Sequence, residues 1–162
     1  MNFVLDSSCL IYLGKLKILE KLRLIEGNKY IPQEVFNEVV QKGFKRGDPE
    51  VKYIEDLIER QELIIKNPKE GLKNTGKLSP ADIDVISLAK EIKAIPIIDD
   101  EEARLFAEFH EIDYHGSIYL LIILVNKKEL SKKEALDYID EMILLGFYLS
   151  TEIYKEITEK LK

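Results

Sequence analysis

The chain has 162 residues, 46% hydrophobic and 33% charged: enough for one compact domain, 1–162, with its own core, and too few for two. One cysteine, Cys9, excludes an internal disulfide framework, and the N-terminus lacks a basic segment followed by an apolar one, so the cytoplasm is the expected compartment. A net charge of −6 argues, taken as a sum, against a nucleic-acid partner, because affinity for phosphate backbones comes mainly from Lys and Arg.

In chain order, Asn2 to Leu5 is an apolar run that stops at Asp6-Ser7-Ser8, after which Leu10, Ile11 and Leu13 recur at helical spacing. That is strand, polar turn, helix, with Asp6 at the carboxyl end of the strand. A second helical pattern, Leu16 to Ile25, closes at Gly27-Asn28. Lys29-Tyr30-Ile31 is a brief strand before Pro32, which suits the first position of a helix reaching about Lys42, with Gly43 as its stop. On that helix Val35 and Val39 form the core-facing stripe, and Glu34 and Glu38 lie one turn apart on a neighbouring face. Asp48-Pro49 then opens a helix with Val51, Ile54, Leu57 and Ile58 as its apolar face. Leu63-Ile64-Ile65 is a third short strand. The stretch 67–77 is the most loop-like in the chain, and its lysines make it a candidate contact for a polyanion.

Two acidic clusters follow. Ser79-Pro80-Ala81-Asp82 is an N-cap, a first-turn proline and an N3 acid, and Asp84 lies two residues on. Asp99, Asp100, Glu101 and Glu102 stand where the apolar strand Ala94 to Ile98 gives way to a helix. Capping accounts for one acid at each place, and for Asp6 equally well. It does not account for four in a row. Ile112 to Tyr114 reads as a fifth strand, Ile118 to Val125 as a buried apolar helix well short of the roughly 20 residues of a membrane span. Ser131 to Glu134 is a capping box, and Ser150 or Thr151 starts a last helix to the C-terminus. His110 and His115 lack a second histidine or cysteine at ligand spacing and are read as structural.

Five short strands separated by helices indicate a parallel α/β sheet with helices on both faces, whose ligands bind beyond the strands' carboxyl ends. Asp6 after Phe3-Val4-Leu5, the spacing Pro32, Val35, Glu38, the Ser79 to Asp84 helix start and the Ile97 to Asp100 strand end together resemble a PIN domain. The runs Asp84 to Ala89 and Ile98 to Arg104 and the Gly116-Ser117 turn are similar to small prokaryotic PIN proteins related to the toxins of toxin–antitoxin pairs. The resemblance implies the strand order 3-2-1-4-5 and a metal-dependent ribonuclease. It carries Asp6, Glu38, Asp82 and Asp100 over as an acidic quartet, with Asp84 and Asp99 as alternatives, and implies a small antitoxin partner. Pro96 inside the fourth strand and the surplus acids at 99–102 depart from the pattern.

Clustered carboxylates repel one another, and all-oxygen ligation selects Mg²⁺ or Mn²⁺ over zinc. Such ions activate water and stabilise the charge that develops in phosphodiester displacement. Ser7 or Ser8 would orient a bound water, and Arg104 would pair with Asp100 or reach the scissile phosphate. With the local acids set aside, the remaining chain is slightly basic, so RNA is compatible with the composition. The competing readings are a non-catalytic PIN-like module that binds RNA or protein, and a receiver-type phosphoaspartate domain. The receiver pattern wants an acidic pair after strand one and a lysine after strand five; here Asp6 is single and no lysine follows Tyr114. The apolar stripes from Leu10 to Leu24 and from Ile118 to Val125 exceed what the sheet needs, which points to a two-fold homodimer.

Overall fold

Four short strands form one parallel sheet in the order β3-β2-β1-β4: β1 Phe3–Leu5, β2 Lys29–Ile31, β3 Ile64–Ile65 and β4 Ile95–Ile97. The computed structural model describes residues 1–74 and 76–161; Thr75 of the lysine-bearing loop and the terminal Lys162 lie outside the described residues. Phe3 stands opposite both Lys29 and Ile95, Leu5 opposite Ile97, and Ile31 opposite Ile65. Successive strand residues face opposite sides, and Phe3, Val4 and Leu5 are all buried, so the sheet is covered on both faces at β1. The order runs outward from β1 to β3 and then jumps back to β4, which makes the β1/β4 boundary the switch point of the sheet.

The expected fifth strand is absent. Residues Ile112 to Tyr114 form none, and the following residue, His115, makes an isolated bridge to Ile97. The reason is Pro96. Ile95 N–H donates to the Asn2 carbonyl and the Ile97 carbonyl accepts from Asp6 N–H, so these two residues bond towards β1. Pro96 and Ile98 face the outer edge, where the Pro96 carbonyl accepts from His115 N–H at 3.1 Å and Ile98 N–H donates to the His115 carbonyl at 2.8 Å. In a parallel ladder the next bond upstream would come from the amide of residue 96, which proline lacks. The proline is therefore harmless to the β1/β4 pairing and ends the next pairing at one residue.

The chain divides into two compact units, Met1–Ser117 and Ile118–Lys162. In the first, α1 (Ser7–Lys15) is capped by Asp6, and the Leu16 to Ile25 pattern forms a 3₁₀ helix, Leu19–Leu24, in place of an α-helix. After β2, α2 (Gln33–Phe36) passes through a π turn (Asn37–Gln41) into α3 (Lys42–Arg46), which ends at Gly47 with φ 75°. Gly43 does not stop this helix. A Cβ there would lie 2.8 Å from Val51 Cγ2, so Gly43 is the point at which the helix presses on the start of α4 (Val51–Glu59). Ser79 caps α5 (Pro80–Ile92) and Asp100 caps α6 (Glu101–Phe109).

The second unit holds most of α7 (Ser117–Asn126), then α8 (Lys132–Leu144) with the capping box of Ser131 and Glu134, and α9 (Thr151–Leu161). Tyr154 donates its hydroxyl to Asp140 at 2.8 Å, tying α9 to α8. Among the described residues no helix is long and apolar enough to cross a membrane.

Candidate active site

Asp6 leaves β1 fully surrounded, 3% exposed. Its Oδ1 accepts from Cys9 N–H at 2.7 Å, closing the first turn of α1, and its Oδ2 accepts from Asp99 N–H at 3.3 Å, across the switch point. Asp99 follows β4 by two residues. Its Oδ1 accepts from Ser117 N–H at 2.8 Å and its Oδ2 from the Ser117 hydroxyl. Arg104 comes within 3.7 Å of Asp99 Oδ1, donates Nε–H to the Ile98 carbonyl at 3.0 Å, and lies over the Tyr114 ring. Gly116 makes this corner possible: a Cβ there would stand 2.6 Å from Arg104 Nη2 and 2.9 Å from Asp99 Oδ1.

Three further acids arrive on helices. Glu38 sits in the π turn and accepts a hydrogen bond from the Ser7 hydroxyl. A π turn winds one residue more per turn than its neighbours, which rotates Glu38 relative to α2, and such turns recur at functional sites. Asp82 receives the Ser79 hydroxyl at 2.7 Å on Oδ2, while its own N–H donates to Ser79 Oγ at 3.2 Å. Asp100 caps α6 through Oδ2, which accepts from Ala103 N–H at 2.9 Å.

Electrostatics joins these residues into one group. Burial first, then the Asp99 and Asp82 charges, hold the Asp6 carboxyl well above the usual carboxylate range, against the lowering effect of two backbone N–H bonds. Burial also raises Asp99, opposed by Ser117 and Arg104. Asp82 is raised by burial and by the Asp100 and Glu38 charges, with Ser79 pulling the other way. Beneath them the Cys9 thiol is pushed up by burial and by Asp6 and Asp99.

The structure thus brings together Asp6, Glu38, Asp82, Asp99 and Asp100, with Ser7 on Glu38. Asp84 stands apart, its charged neighbour being Glu34. Ser8 makes no bond to these acids among the described residues. Arg104 turns to Asp99 and the Ile98 carbonyl just beyond β4, where pairing with Asp100 was one expectation. Residue spacing marked Ser79 through its capping pattern, but gave no sign that Ser117 would hold Asp99, because that contact spans 18 residues. Among the described residues no three His, Cys, Asp or Glu side chains already stand as a formed metal site.

Fold and site define an α/β domain with a cluster of carboxylates at the switch point of a parallel sheet. The sequence matches the PIN-domain family DUF3368 over residues 2–162, and the chain belongs to that family. A comparison with curated proteins finds no match. Among solved structures the chain is similar to a PilT N-terminus domain protein from the hyperthermophilic archaeon Sulfolobus solfataricus P2. That match has 19% identity and a TM-score of 0.52, and covers 75% of this chain and 92% of that one. A domain of a functionally unknown protein from Methanocaldococcus jannaschii DSM 2661 is 18% identical with a TM-score of 0.47, over 71% of this chain and 89% of that one.

Proposed function

We propose that this PIN domain is a Mg²⁺- or Mn²⁺-dependent RNA endonuclease. PIN domains are usually nucleases and generally use divalent ions. The observation that carries the reading is the burial of Asp6 beside Asp99 at the switch point, with Asp82, Glu38 and Asp100 close enough to be felt electrostatically. Asn or Ser would cap α1 and α6 as well without mutual repulsion, so capping leaves the charge unexplained. The donor set fits a hard divalent cation: five carboxylates and no nitrogen or sulfur donor that the burial leaves ionised.

Asp6 and Asp82 would hold the ion with Asp100 or Asp99. When bound, it supplies Lewis-acid stabilisation of a phosphodiester and a lowered pKa for a water molecule. The Ser7 hydroxyl fixes one oxygen of Glu38, leaving the other to orient that water and accept its proton. Ser79 fixes Asp82 in the same manner, and Ser117 with Arg104 holds Asp99. In this reading the protein is an RNA-processing nuclease or the toxin of a toxin–antitoxin pair, with an antitoxin covering the acidic pocket.

Titration calorimetry with Mn²⁺ tests it. The wild-type protein is expected to bind, and Asp82→Asn to bind at least tenfold more weakly, which is about 1.4 kcal/mol of lost affinity. Equal heats from the two proteins, or none from wild type at unchanged fold, would leave the carboxylates as caps and the domain as a non-catalytic binding module.

A further inference from the structure

The lysine-bearing loop between β3 and α5 is tied down by its own backbone. Asn67 Oδ1 accepts from Gln33 N–H at 2.8 Å, at the start of α2, the helix that leads into the Glu38 turn. Lys69 N–H donates to Glu91 Oε2 at 2.7 Å, and Leu72 N–H to the oxygen of the buried Ser87 hydroxyl at 2.9 Å. As the loop advances from 69 to 72, its partners on α5 step back from 91 to 87. It ends at Ser79, which caps α5 and donates its hydroxyl to Asp82. The loop therefore runs antiparallel to α5 and arrives at the carboxylate cluster. Residues 69–77 hold three lysines and one glutamate, a net +2 in a chain of −6. Lys69, Lys73 and Lys77 are exposed, and their ammonium groups have no hydrogen-bond or ion-pair partner among the described residues. Lys77 stands two residues before Ser79, so its Cα lies within about 7 Å of the residue that holds Asp82. Unpaired cations spaced along a fixed segment that ends at carboxylates suited to phosphodiester chemistry match the backbone of a nucleic acid. Phosphate contacts of this kind position a strand without reading its sequence.

We propose that Lys69, Lys73 and Lys77 form a phosphate track that carries an RNA strand along α5 to the carboxylate cluster. Glu91 and Asp82 are nine positions apart on α5, a rise of about 13.5 Å, which matches about four stacked nucleotides. The proposal rests on the ribonuclease reading for its choice of ligand, but it is read by binding alone. Fluorescence anisotropy of a labelled single-stranded RNA of about eight nucleotides, long enough to fill the track and reach the cluster, is measured in EDTA, where that reading predicts no cleavage. Lys69→Gln with Lys73→Gln and Lys77→Gln should bind about tenfold more weakly than wild type at low salt. It should also lower the slope of log affinity against log salt by about 0.7 per lysine. Lys128→Gln with Lys132→Gln and Lys133→Gln makes the same change in net charge in the second unit, and should keep the wild-type slope. Calorimetry with Mn²⁺ should give the loop variant the wild-type affinity for the ion.

Wild type that fails to bind the RNA, or a loop variant whose affinity and slope match those of wild type or of the second-unit variant, overturns the track. Wild type that binds through these lysines yet leaves RNA intact with Mn²⁺ would count against the nuclease reading and leave the track standing. Cleavage by wild type with binding indifferent to the three lysines would do the reverse.

Discussion

Asp6 serves two demands that pull in opposite directions. As the cap of α1 it needs only an acceptor, whereas its charge, buried beside Asp99, costs the folded protein stability. Asp6→Asn and Asp82→Asn keep an acceptor and remove a charge, so each should abolish RNA cleavage. In metal-free protein each should also leave the melting temperature equal or higher, with about 2–4 °C gained per kcal/mol of repulsion relieved. Denaturation of either variant well below wild type would show that the charge is structural. The sign of the pH dependence follows from the same residues. Asp6, Asp99 and Asp82 are raised, so the folded chain holds protons more tightly than the unfolded one between the ordinary carboxylate range and the raised values. Their contribution is full below the unfolded values and is lost as pH rises through the folded ones. Metal-free wild type should therefore melt higher at pH 5 than at pH 7 by a margin that shrinks in Asp6→Asn; equal margins in scanning calorimetry contradict this.

The elements show what could be read in the residues beforehand and what could not. Strands β1, β2 and β4 and the caps at Ser79 and Ser131 are local signals, carried within a few residues, and the fold uses them as read. Gly43 was misleading because a glycine that stops a helix and one that admits a neighbour look alike in sequence. Only Val51 Cγ2 at 2.8 Å tells them apart, and Gly47 takes the left-handed end. The π turn at Asn37–Gln41 has no pattern of its own, and the fifth strand failed on the direction of one missing N–H at Pro96, which depends on the sheet partner. The Ser117 contact with Asp99 likewise spans too many residues to be read locally. Gly43→Ala puts the packing account at risk. Helix propensity alone predicts about 1 kcal/mol of stabilisation, while the clash with Val51 predicts a net loss of about 1–3 kcal/mol. A raised midpoint in urea would refute the contact.

For the whole molecule, the apolar residues that suggested a homodimer are already covered. Leu10, Leu13, Leu19 and Leu22, and Leu120, Leu121 and Leu124, are all buried within one chain. A two-fold dimer has to draw on other surface, and the second unit offers Leu144 and Tyr148, 86% and 87% exposed. Sedimentation equilibrium should give a dimer that Leu144→Glu with Tyr148→Glu dissociates; a wild-type monomer at micromolar concentration ends that expectation. The net charge of −6 is no obstacle to an RNA substrate, because five of the acids are gathered in one cluster and the rest of the chain is close to neutral. The central claim, that the carboxylate cluster cleaves RNA, is tested most directly by incubating labelled single-stranded RNA with wild type and Asp6→Asn, each with Mn²⁺ and with EDTA. The account predicts internal cleavage by wild type with Mn²⁺ and none in the other three reactions. Intact RNA throughout, or equal cleavage by Asp6→Asn, would contradict it.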